Sequence, residues 1–327
     1  MLTILARRAR PTGLALAATL STALGACADQ ASTAPRREPA ARSALTKGLP
    51  GGRGPILFGS TITGDEEIFS IREDGTDMKR LTYSAGLDRY AVYSPDGRKI
   101  AFVSARDDMS SHLSIFVMNA DGTNVRRLTP DSTFGYIHGL AWSPDGKQIA
   151  FGASVELPPA QFDLYIIGST GAQLRQLTNT ETVDEAEPAF KPFGDRIAFR
   201  SAPVSGGPGE IWTIGSDGSI PQPLISCPTG CFGPTWSPDG WSVAYSTGSS
   251  QSSPAEVQVV NIVGVGGTPT TVAVDARYPS FSPDGIKLVY RKLVDGAYQV
   301  GTSAADGTSP TVLTAFTAGA LPTSWGG

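Results

Sequence analysis

A short phrase recurs through the 327-residue chain: an aromatic residue, then Ser-Pro-Asp-Gly, then a short apolar segment. Intact copies contain Pro95, Pro144, Pro238 and Pro283, and a degenerate copy, Lys191-Pro192-Phe193-Gly194, fills the gap between the second and the third. Successive prolines of these five copies are 49, 48, 46 and 45 residues apart. Repetition at that period indicates a series of equivalent units, each of which buries its apolar faces against its neighbours.

Turn signals divide each unit into four short strands. Ser-Pro-Asp-Gly reverses the chain after the first strand, and an Asp-Gly pair such as Asp74-Gly75 or Asp121-Gly122 follows the third. Alternating apolar residues separated by such turns predict antiparallel hairpins. In the turns, proline fixes φ, aspartate accepts a hydrogen bond from the backbone two residues further on, and glycine takes a positive φ. Calcium binding by the aspartates is disfavoured, because they recur singly and far apart.

The second turns indicate six units. The first unit starts with the apolar segment at Ile56 and lacks a first strand, while residues 320–325 near the end of the chain match the missing one. The sequence therefore predicts an all-β fold: a six-bladed β-propeller of four-stranded antiparallel blades, closed by the C-terminal strand, which completes the N-terminal blade. Closure of this kind leaves few exposed strand edges.

These repeats resemble the WD40-like (PD40) repeats of the TolB propeller family, with matches in five of the six units over residues 54–327. Members of that family carry a separate domain before the propeller, whereas here a leader, a tether and the first blade fill that space. The resemblance therefore covers the propeller alone. The resemblance implies a binding scaffold of the bacterial cell envelope and does not indicate a catalysed reaction.

Residues 1–26 are typical of a lipoprotein signal peptide. Arginines at positions 7, 8 and 10 precede an apolar stretch from Gly13 to Leu24, which is about half the length that spans a bilayer. The sequence Leu24-Gly25-Ala26-Cys27 resembles the bacterial lipoprotein box, which implies cleavage before Cys27 and lipidation of that cysteine. An ordinary signal peptide cleaved nearby is the alternative. Residues 27–53 then form the lipidated cysteine and a flexible tether rich in Ala, Pro, Ser and Arg, followed by the propeller at 54–327.

The residue after Cys27 indicates the expected membrane, and the net charge of the chain limits the expected partners. Ala28 follows the cysteine, and by resemblance to Gram-negative lipoproteins the absence of Asp there implies the outer membrane, facing the periplasm. Membrane contact is expected through the lipid anchor only. Removing residues 1–26 removes three arginines, so the net charge changes from −4 to −7. An acidic domain argues against nucleic acid as a partner.

The remaining cysteines, Cys227 and Cys231, form an even pair with Pro and Gly between them. A small loop of this kind can close a disulfide in an oxidising compartment, and free thiols are the main alternative. A redox-active pair usually has two intervening residues, and zinc would need more Cys or His than the chain offers.

Candidate binding residues lie where each outer strand leads into the next inner strand, five to eight residues before the repeat proline. In propellers these segments surround the mouth of the central channel. The candidates are Asp88, Arg89, Tyr90, Tyr136, His138, Asp184, Glu185, Glu187, Phe232, Asp275, Arg277 and Tyr278. Charges mixed with aromatic rings suit the binding of a peptide or glycan. Solvated loop ends with local ion pairs are the alternative.

The expected function is that of a membrane-anchored, non-catalytic protein-binding or scaffold propeller with an envelope protein or a peptidoglycan-associated partner. No catalytic residue, metal or cofactor is expected, and the sequence contains no Gly-x-Ser-x-Gly nucleophile elbow. One alternative is a hydrolase or lyase that acts on peptides or glycans at the channel mouth. Glu185 and Glu187 are the candidates for acid and base in that chemistry, which their spacing of two residues along a strand disfavours. A sensor of glycans or small molecules is the other alternative.

The lipoprotein interpretation predicts that Cys27 carries the lipid. When the full chain is expressed in a Gram-negative host supplied with a fatty-acid probe, the protein should be labelled and Cys27→Ala should lose the label. A protein with both Cys227 and Cys231 changed to Ser is the control and should keep it. Labelling that survives in Cys27→Ala would contradict the assignment.

Overall fold

The computed structural model describes residues 54–107, 112–131, 133–155, 161–248, 255–263, 267–317 and 320–325. The expected signal peptide and tether, with Cys27, lie outside the described residues. Within these ranges no helix has the length and apolarity needed to cross a bilayer.

Twenty-four strands form six four-stranded antiparallel sheets in the described part of the chain. The first three blades contain β1 (Ile56–Thr63), β2 (Asp65–Ile71), β3 (Lys79–Arg80); β4 (Asp88–Tyr93), β5 (Lys99–Ser104), β6 (Ser114–Asn119), β7 (Arg126–Arg127); β8 (Tyr136–Trp142), β9 (Gln148–Ser154), β10 (Asp163–Gly168) and β11 (Arg175–Gln176). The next three contain β12 (Val183–Phe190), β13 (Arg196–Pro203), β14 (Glu210–Gly215), β15 (Gln222–Ile225); β16 (Cys231–Trp236), β17 (Ser242–Thr247), β18 (Glu256–Asn261), β19 (Thr270–Val274); β20 (Ala276–Phe281), β21 (Lys287–Val294), β22 (Ala297–Ala304) and β23 (Thr311–Val312). The last strand is β24 (Ala320–Trp325).

The last strand completes the first blade, whose order is β24-β1-β2-β3, while every other blade is a simple meander. Ile56 pairs with Trp325 and Ser60 with Ala320 across the closure. The Trp325 indole Nε1 also donates to the Gly54 carbonyl at 3.1 Å. The predicted six-bladed, four-stranded architecture and its closure are thus confirmed.

The hydrophobic core is divided among the blade interfaces. Along β5, Ile100 and Phe102 pack against the first blade, whereas Ala101 and Val103 pack against the third. Because successive residues of a strand point to opposite faces, one strand supplies two interfaces. The described residues form six such apolar clusters, one between each pair of neighbouring blades. A ring of six blades has six interfaces, so the core closes with the ring.

The Ser-Pro-Asp-Gly turns are held by their own side chains. Ser94 Oγ donates to Asp96 Oδ1 at 2.6 Å, and the same carboxylate oxygen accepts from the Arg98 backbone N–H at 3.1 Å. The hydrogen bond from Ser94 lowers the pKa of Asp96. The other three intact copies repeat these bonds. The aspartates therefore have the structural role expected of them.

The outer strands of four blades end early because a threonine side chain replaces the backbone as acceptor. The Thr82 Oγ1 atom accepts from the Ile68 backbone N–H at 2.9 Å, directly after the two-residue strand β3. The same contact is made by Thr129, Thr178 and Thr314. The threonine hydroxyl thus accepts a hydrogen bond from a buried N–H that a backbone carbonyl would accept in a longer outer strand.

Closure predicts a large difference between two tryptophans. Trp325 is 6% exposed and Trp241 is 52% exposed. Trp325→Ala should lower the free energy of unfolding by about 3–5 kcal/mol, the usual cost of removing a buried tryptophan. Trp241→Ala should stay within about 0.5 kcal/mol of the parent, as most surface substitutions do. Denaturant unfolding followed by circular dichroism measures both, and equal losses would show that the last strand contributes little to the fold.

Candidate functional site

Each of the five inner strands β4, β8, β12, β16 and β20 contains a bulge with a residue in the left-handed conformation. That residue lies five positions before the repeat proline, and strand pairing shifts register around it. The five residues are Tyr90, Gly139, Glu187, Gly233 and Tyr278, with φ between 55° and 77°. A bulge re-aims the side chains next to it. The repeated sequence therefore corresponds to a repeated bulge in the strands that line the channel.

Two of these positions hold glycine for a steric reason. A Cβ atom on Gly139 would lie 2.9 Å from the Glu187 Cα, and one on Gly233 would lie 2.9 Å from Tyr278 Cδ1. The neighbouring bulges are thus in close contact across the blade boundaries. Glycine at these positions allows the inner strands to approach each other at the axis.

The bulges surround a cavity of about 120 Å³ on the axis. It is lined by Tyr90, Ala91, Val92, Gly139, Leu140, Glu187, Pro188, Gly233, Pro234, Tyr278 and Pro279. Three of these residues are prolines and have no N–H to offer a ligand. The walls are therefore mostly apolar, with Glu187 and the two tyrosines as their polar groups.

A belt of side-chain contacts runs around this cavity from the second blade to the sixth. The Tyr90 and His138 rings meet edge to face at 5.2 Å between centroids. His138 Nε2 lies 3.7 Å from Glu187 Oε1, and Glu187 Oε2 accepts from the Gly233 backbone N–H at 2.6 Å. Phe232 and Tyr278 again meet edge to face at 5.2 Å. Each contact crosses a blade boundary, so the belt fixes the blades at the channel.

Charged groups of the first, second and sixth blades complete the mouth. Arg89 Nε lies 3.4 Å from Glu66 Oε2, and the Arg291 guanidinium lies 3.7 Å from the centre of the Tyr298 ring. The Arg277 guanidinium also approaches that ring, at 5.3 Å. Stacking on an aromatic face suits arginine better than lysine. Glu66, Arg291 and Tyr298 were not predicted from the sequence.

The missed residues share a position that the sequence does mark. Glu66 follows the tight turn at Gly64, and Arg291 and Tyr298 flank the turn Asp295-Gly296. Both turns join second to third strands, on the same face as the predicted residues.

The predicted residues separate into three groups by their distance from the repeat proline. Those five or six positions before it take part in the contacts around the channel: Arg89, Tyr90, His138, Glu187, Phe232, Arg277 and Tyr278. Asp88 and Glu185, seven before it, are buried inside their blades and bind Arg106 and Thr180. Tyr136, Asp184 and Asp275, eight before it, lie at the rim, where Asp184 accepts from the Phe162 backbone N–H at 3.0 Å. Alternation along the strand explains the division between the first two groups.

Several buried polar atoms at the mouth have no hydrogen-bond partner. Among the described residues these include Glu66 Oε1, Arg89 Nε, Glu187 Oε1 and Arg291 Nε. An unmade hydrogen bond in a buried position costs about 1–3 kcal/mol. The mouth therefore retains unused donors and acceptors of both charge signs.

Burial dominates the electrostatics here. It raises the pKa of Glu66 to about 6, although Arg89 and Arg291 oppose the change. It lowers the pKa of His138 and raises that of Tyr90 to about 12. His138 is therefore neutral at pH 7, while Glu66 ionises close to neutral pH.

Other chemistry near the mouth is structural. Cys227 and Cys231 are joined by a disulfide, with their Cα atoms 5.7 Å apart, in the loop that leads into β16. The Cys231 backbone N–H donates to the Gly209 carbonyl at 2.8 Å, which ties this loop to the neighbouring blade. In the described part of the chain no three His, Cys, Asp or Glu side chains are grouped closely enough to hold a metal ion.

Comparison with known proteins agrees with the repeat pattern and the ring. The family model described as the TolB beta propeller domain (PD40) matches residues 132–327. The chain belongs to the TolB beta-propeller family. A protein TolB homolog of Chlorobium luteolum is 41% identical to this TolB-type propeller over 75 residues, which are 22% of this chain and 17% of the relative. The chain thus spans only a small part of that curated relative.

Solved structures share the fold at low sequence identity. TolB from Acinetobacter baumannii superposes with a TM-score of 0.71 and 21% identity, over 86% of this chain and 68% of that one. An oligogalacturonate lyase from Vibrio parahaemolyticus superposes with a TM-score of 0.52 and 13% identity, over 79% and 74%. At these identities the likeness shows a common architecture. Enzymes and TolB proteins alike use it, so function depends on the site residues.

The raised pKa of Glu66 predicts a pH-dependent stability. Because its pKa in the folded protein lies above its ordinary value of 4.5, the stabilisation is fully present below about pH 4.5 and is lost as the pH rises through about 6. A rise from 4.5 to about 6 corresponds to about 2 kcal/mol. Glu66→Gln should therefore gain about 2 kcal/mol relative to the parent between pH 4.5 and pH 7.5, measured by denaturant unfolding. A constant difference between the two proteins would contradict this.

Proposed function

We propose that this TolB-type propeller is a lipid-anchored, non-catalytic binding protein of the bacterial cell envelope. Its channel mouth, in this proposal, binds a segment of an envelope protein or of a peptidoglycan-associated partner. Cys27 carries the lipid, the outer membrane holds the anchor, and the propeller faces the periplasm. No cofactor and no nucleic acid take part.

The unpaired polar atoms at the mouth are the observation that carries this proposal. Glu66 Oε1 and Glu187 Oε1 can accept hydrogen bonds, and Arg89 Nε and Arg291 Nε can donate them. An extended peptide offers both donors and acceptors along its backbone. Because these atoms are buried, their side chains must turn toward such a segment to form the missing hydrogen bonds.

The aromatic rings beside these atoms support a protein partner further. The Arg291 guanidinium stacks on the Tyr298 ring, and Tyr90 and Tyr278 line the cavity. Tyrosine and arginine are enriched among residues that dominate binding energy at protein interfaces. Membership of the TolB beta-propeller family supports an envelope setting for this chain.

The closest approach to a catalytic arrangement is the pair His138 and Glu187. Glu187 uses one carboxylate oxygen to hold the Gly233 N–H and adopts a left-handed backbone conformation. His138 packs between Tyr90 and Phe162. These contacts favour a role in joining blades over acid–base chemistry. The fold shared with an oligogalacturonate lyase makes turnover of glycans or peptides the alternative, and purified protein that turns over such substrates would establish it.

Partner capture tests the binding function. The protein is crosslinked in intact envelopes, purified through an affinity tag, and the captured partner is quantified by mass spectrometry. Removing one partner of a desolvated charge pair at an interface costs about 2–5 kcal/mol. Arg291→Ala and Glu66→Gln should each reduce capture at least about tenfold.

A matched charge removed from the opposite face is the control. Arg98 is exposed in a Ser-Pro-Asp-Gly turn, far from the channel mouth, and Arg98→Ala should capture the partner like the parent. Thermal unfolding of all three variants verifies that they are folded. Unchanged capture by both mouth variants would exclude the mouth as the binding site.

A further inference from the structure

The face opposite the mouth contains two sets of turns. The first- to second-strand turns and the third- to fourth-strand turns lie at the same end of each antiparallel blade. Backbone hydrogen bonds join the two sets within a blade, as from Ile262 N–H to the Trp241 carbonyl and from Ser216 N–H to the Asp195 carbonyl. We call this end of the propeller, formed by the two sets of turns, the turn face. The same arrangement of turns recurs there from blade to blade.

Large exposed apolar side chains on the turn face lie mainly in the fourth, fifth and sixth blades, and Met78 and Val125 are those of the first and second blades. Those of the last three blades form what we call the turn patch, whose members are Phe193 (49% exposed), Ile220 (70%), Trp241 (52%), Val263 (62%) and Ile286 (59%). Of the five tryptophans in the chain, Trp241 is the exposed one.

The repeat itself shows that the fold does not require apolar residues there. Phe193 occupies the position of the turn aspartate in the four intact copies, such as Asp96. Trp241 and Ile286 occupy the position held by Arg98 and Lys147 in the second and third blades. The second and third blades therefore have polar residues at both positions, whereas the fourth, fifth and sixth blades each have a large apolar residue at one of them.

Ile220 adds evidence from backbone conformation. It has φ 48°, in the left-handed region. The equivalent residues of the first, second, third and sixth blades are polar: Asp77, Asn124, Gln173 and Ser309, with φ from 53° to 59°. A β-branched residue is a genuine outlier in this conformation. A strained, exposed isoleucine where the repeat otherwise uses a polar residue points to a function for the side chain.

The patch crosses blade boundaries. A Cβ atom on Gly240 would lie 3.7 Å from Phe193 Cδ2, so the turns of the fourth and fifth blades touch. A Cβ atom on Gly285 would lie 3.2 Å from Pro238 Cδ, so the turns of the fifth and sixth blades also touch. The apolar residues thus project from one continuous surface.

The chain enters the propeller on this same face. Gly54, the first described residue, accepts a hydrogen bond from Trp325 Nε1. Trp325 matches Trp142 and Trp236, which directly precede Ser-Pro-Asp-Gly turns. Residues 28–53 separate this point from Cys27, and as the tether expected from the sequence they would span on the order of 25–30 Å. An anchor at Cys27 would therefore hold the turn face close to the membrane surface.

We propose that the turn patch docks on the phospholipid surface of the membrane that holds the anchor. This rests on the lipid anchor of the proposed function and adds an orientation to it. Tryptophan and phenylalanine favour the interface between headgroups and acyl chains. With the patch seated there, the channel mouth faces away from the bilayer and remains open to partners.

The charges of this surface specify the kind of lipid. The turn aspartates of these blades include Asp217, Asp239, Asp284 and Asp306, and the basic residues near them include Lys191, Lys287, Arg175 and Arg196. A surface with both charge signs has no strong attraction to anionic lipid. The docking should therefore be seen on zwitterionic phosphatidylcholine vesicles and should not increase when phosphatidylglycerol is added.

Trp241 is a natural probe for the test. The mature chain, with a hexahistidine tag in place of Cys27, is bound to phosphatidylcholine vesicles that contain a nickel-chelating lipid, with and without brominated acyl chains. Brominated acyl chains should quench the part of the tryptophan fluorescence that comes from Trp241, one of the five tryptophans. Trp241→Phe should remove the quenched component. Emission that is the same on both kinds of vesicle overturns the proposal.

A variant that retains the probe tests the patch as a unit. Phe193→Asp, Ile220→Asn and Ile286→Arg together introduce residue types that other blades use at these positions, so the fold should be kept, as thermal unfolding would show. This triple variant should lose the quenching, whereas Tyr83→Ser, which removes an exposed ring outside the patch, should not. Quenching that persists in the triple variant overturns the proposal. A dimer in solution that the triple variant makes monomeric would assign the patch to a second copy and overturn it as well.

The nickel-chelating lipid replaces the natural anchor, so the outcome does not depend on Cys27. Failure of fatty-acid labelling would remove the anchor from the proposed function, and absence of quenching would remove the docking of the patch. The two failures are therefore distinguishable.

Discussion

A blade of this propeller has two apolar faces, and only other blades can cover them. In β5, Phe102 packs toward one neighbour and Val103 toward the other. An open row of such blades would leave an apolar face exposed at each end, together with an unpaired strand edge. The pairing of β24 with β1 removes both problems in one step. Burial in the ring, and with it the position of every loop, therefore depends on a strand contributed from the far end of the chain.

Closing the ring also brings the inner strands together, and the bulges are the consequence at the axis. Five strands converge where side chains of ordinary strands would collide, and each places a left-handed residue there. The residue at each bulge depends on the space around it: glycine where a Cβ atom would lie 2.9 Å from a neighbour's backbone or ring, and Tyr90, Glu187 or Tyr278 at the other three positions. The channel is thus lined by backbone and by groups that hold neighbouring blades together. The polar atoms that these contacts leave without a hydrogen bond are the ones that a partner could satisfy.

The blade count, the strand order and the closure could be predicted because turn chemistry repeats along the sequence. The residues at the channel mouth were harder to predict from the sequence, for two physical reasons. Side-chain direction alternates along a strand, so Asp88 and Arg89 share a segment while one points into the blade and the other toward Glu66. Glu66 reaches the mouth from the third strand of its blade and Arg291 from the second strand of its blade, each near a short turn. The bulge positions share no residue type, and burial, which raises the pKa of Glu66, depends on the assembled ring.

The regular turns allow the two faces of the ring to differ without cost to the fold. A Ser-Pro-Asp-Gly turn is stabilised by its own serine and aspartate, so the residue that follows the glycine is free to vary. In the second and third blades it is Arg98 or Lys147, and in the fifth and sixth it is Trp241 or Ile286. The degenerate fourth copy keeps proline and glycine but replaces aspartate with an exposed phenylalanine, which its turn tolerates because Gly194 still supplies the positive φ. Because the turn residues determine the backbone of each turn, residues that differ between the copies indicate function. At the mouth these residues are charged and lie around a cavity. On the turn face they are apolar and lie on the side where the chain enters the propeller.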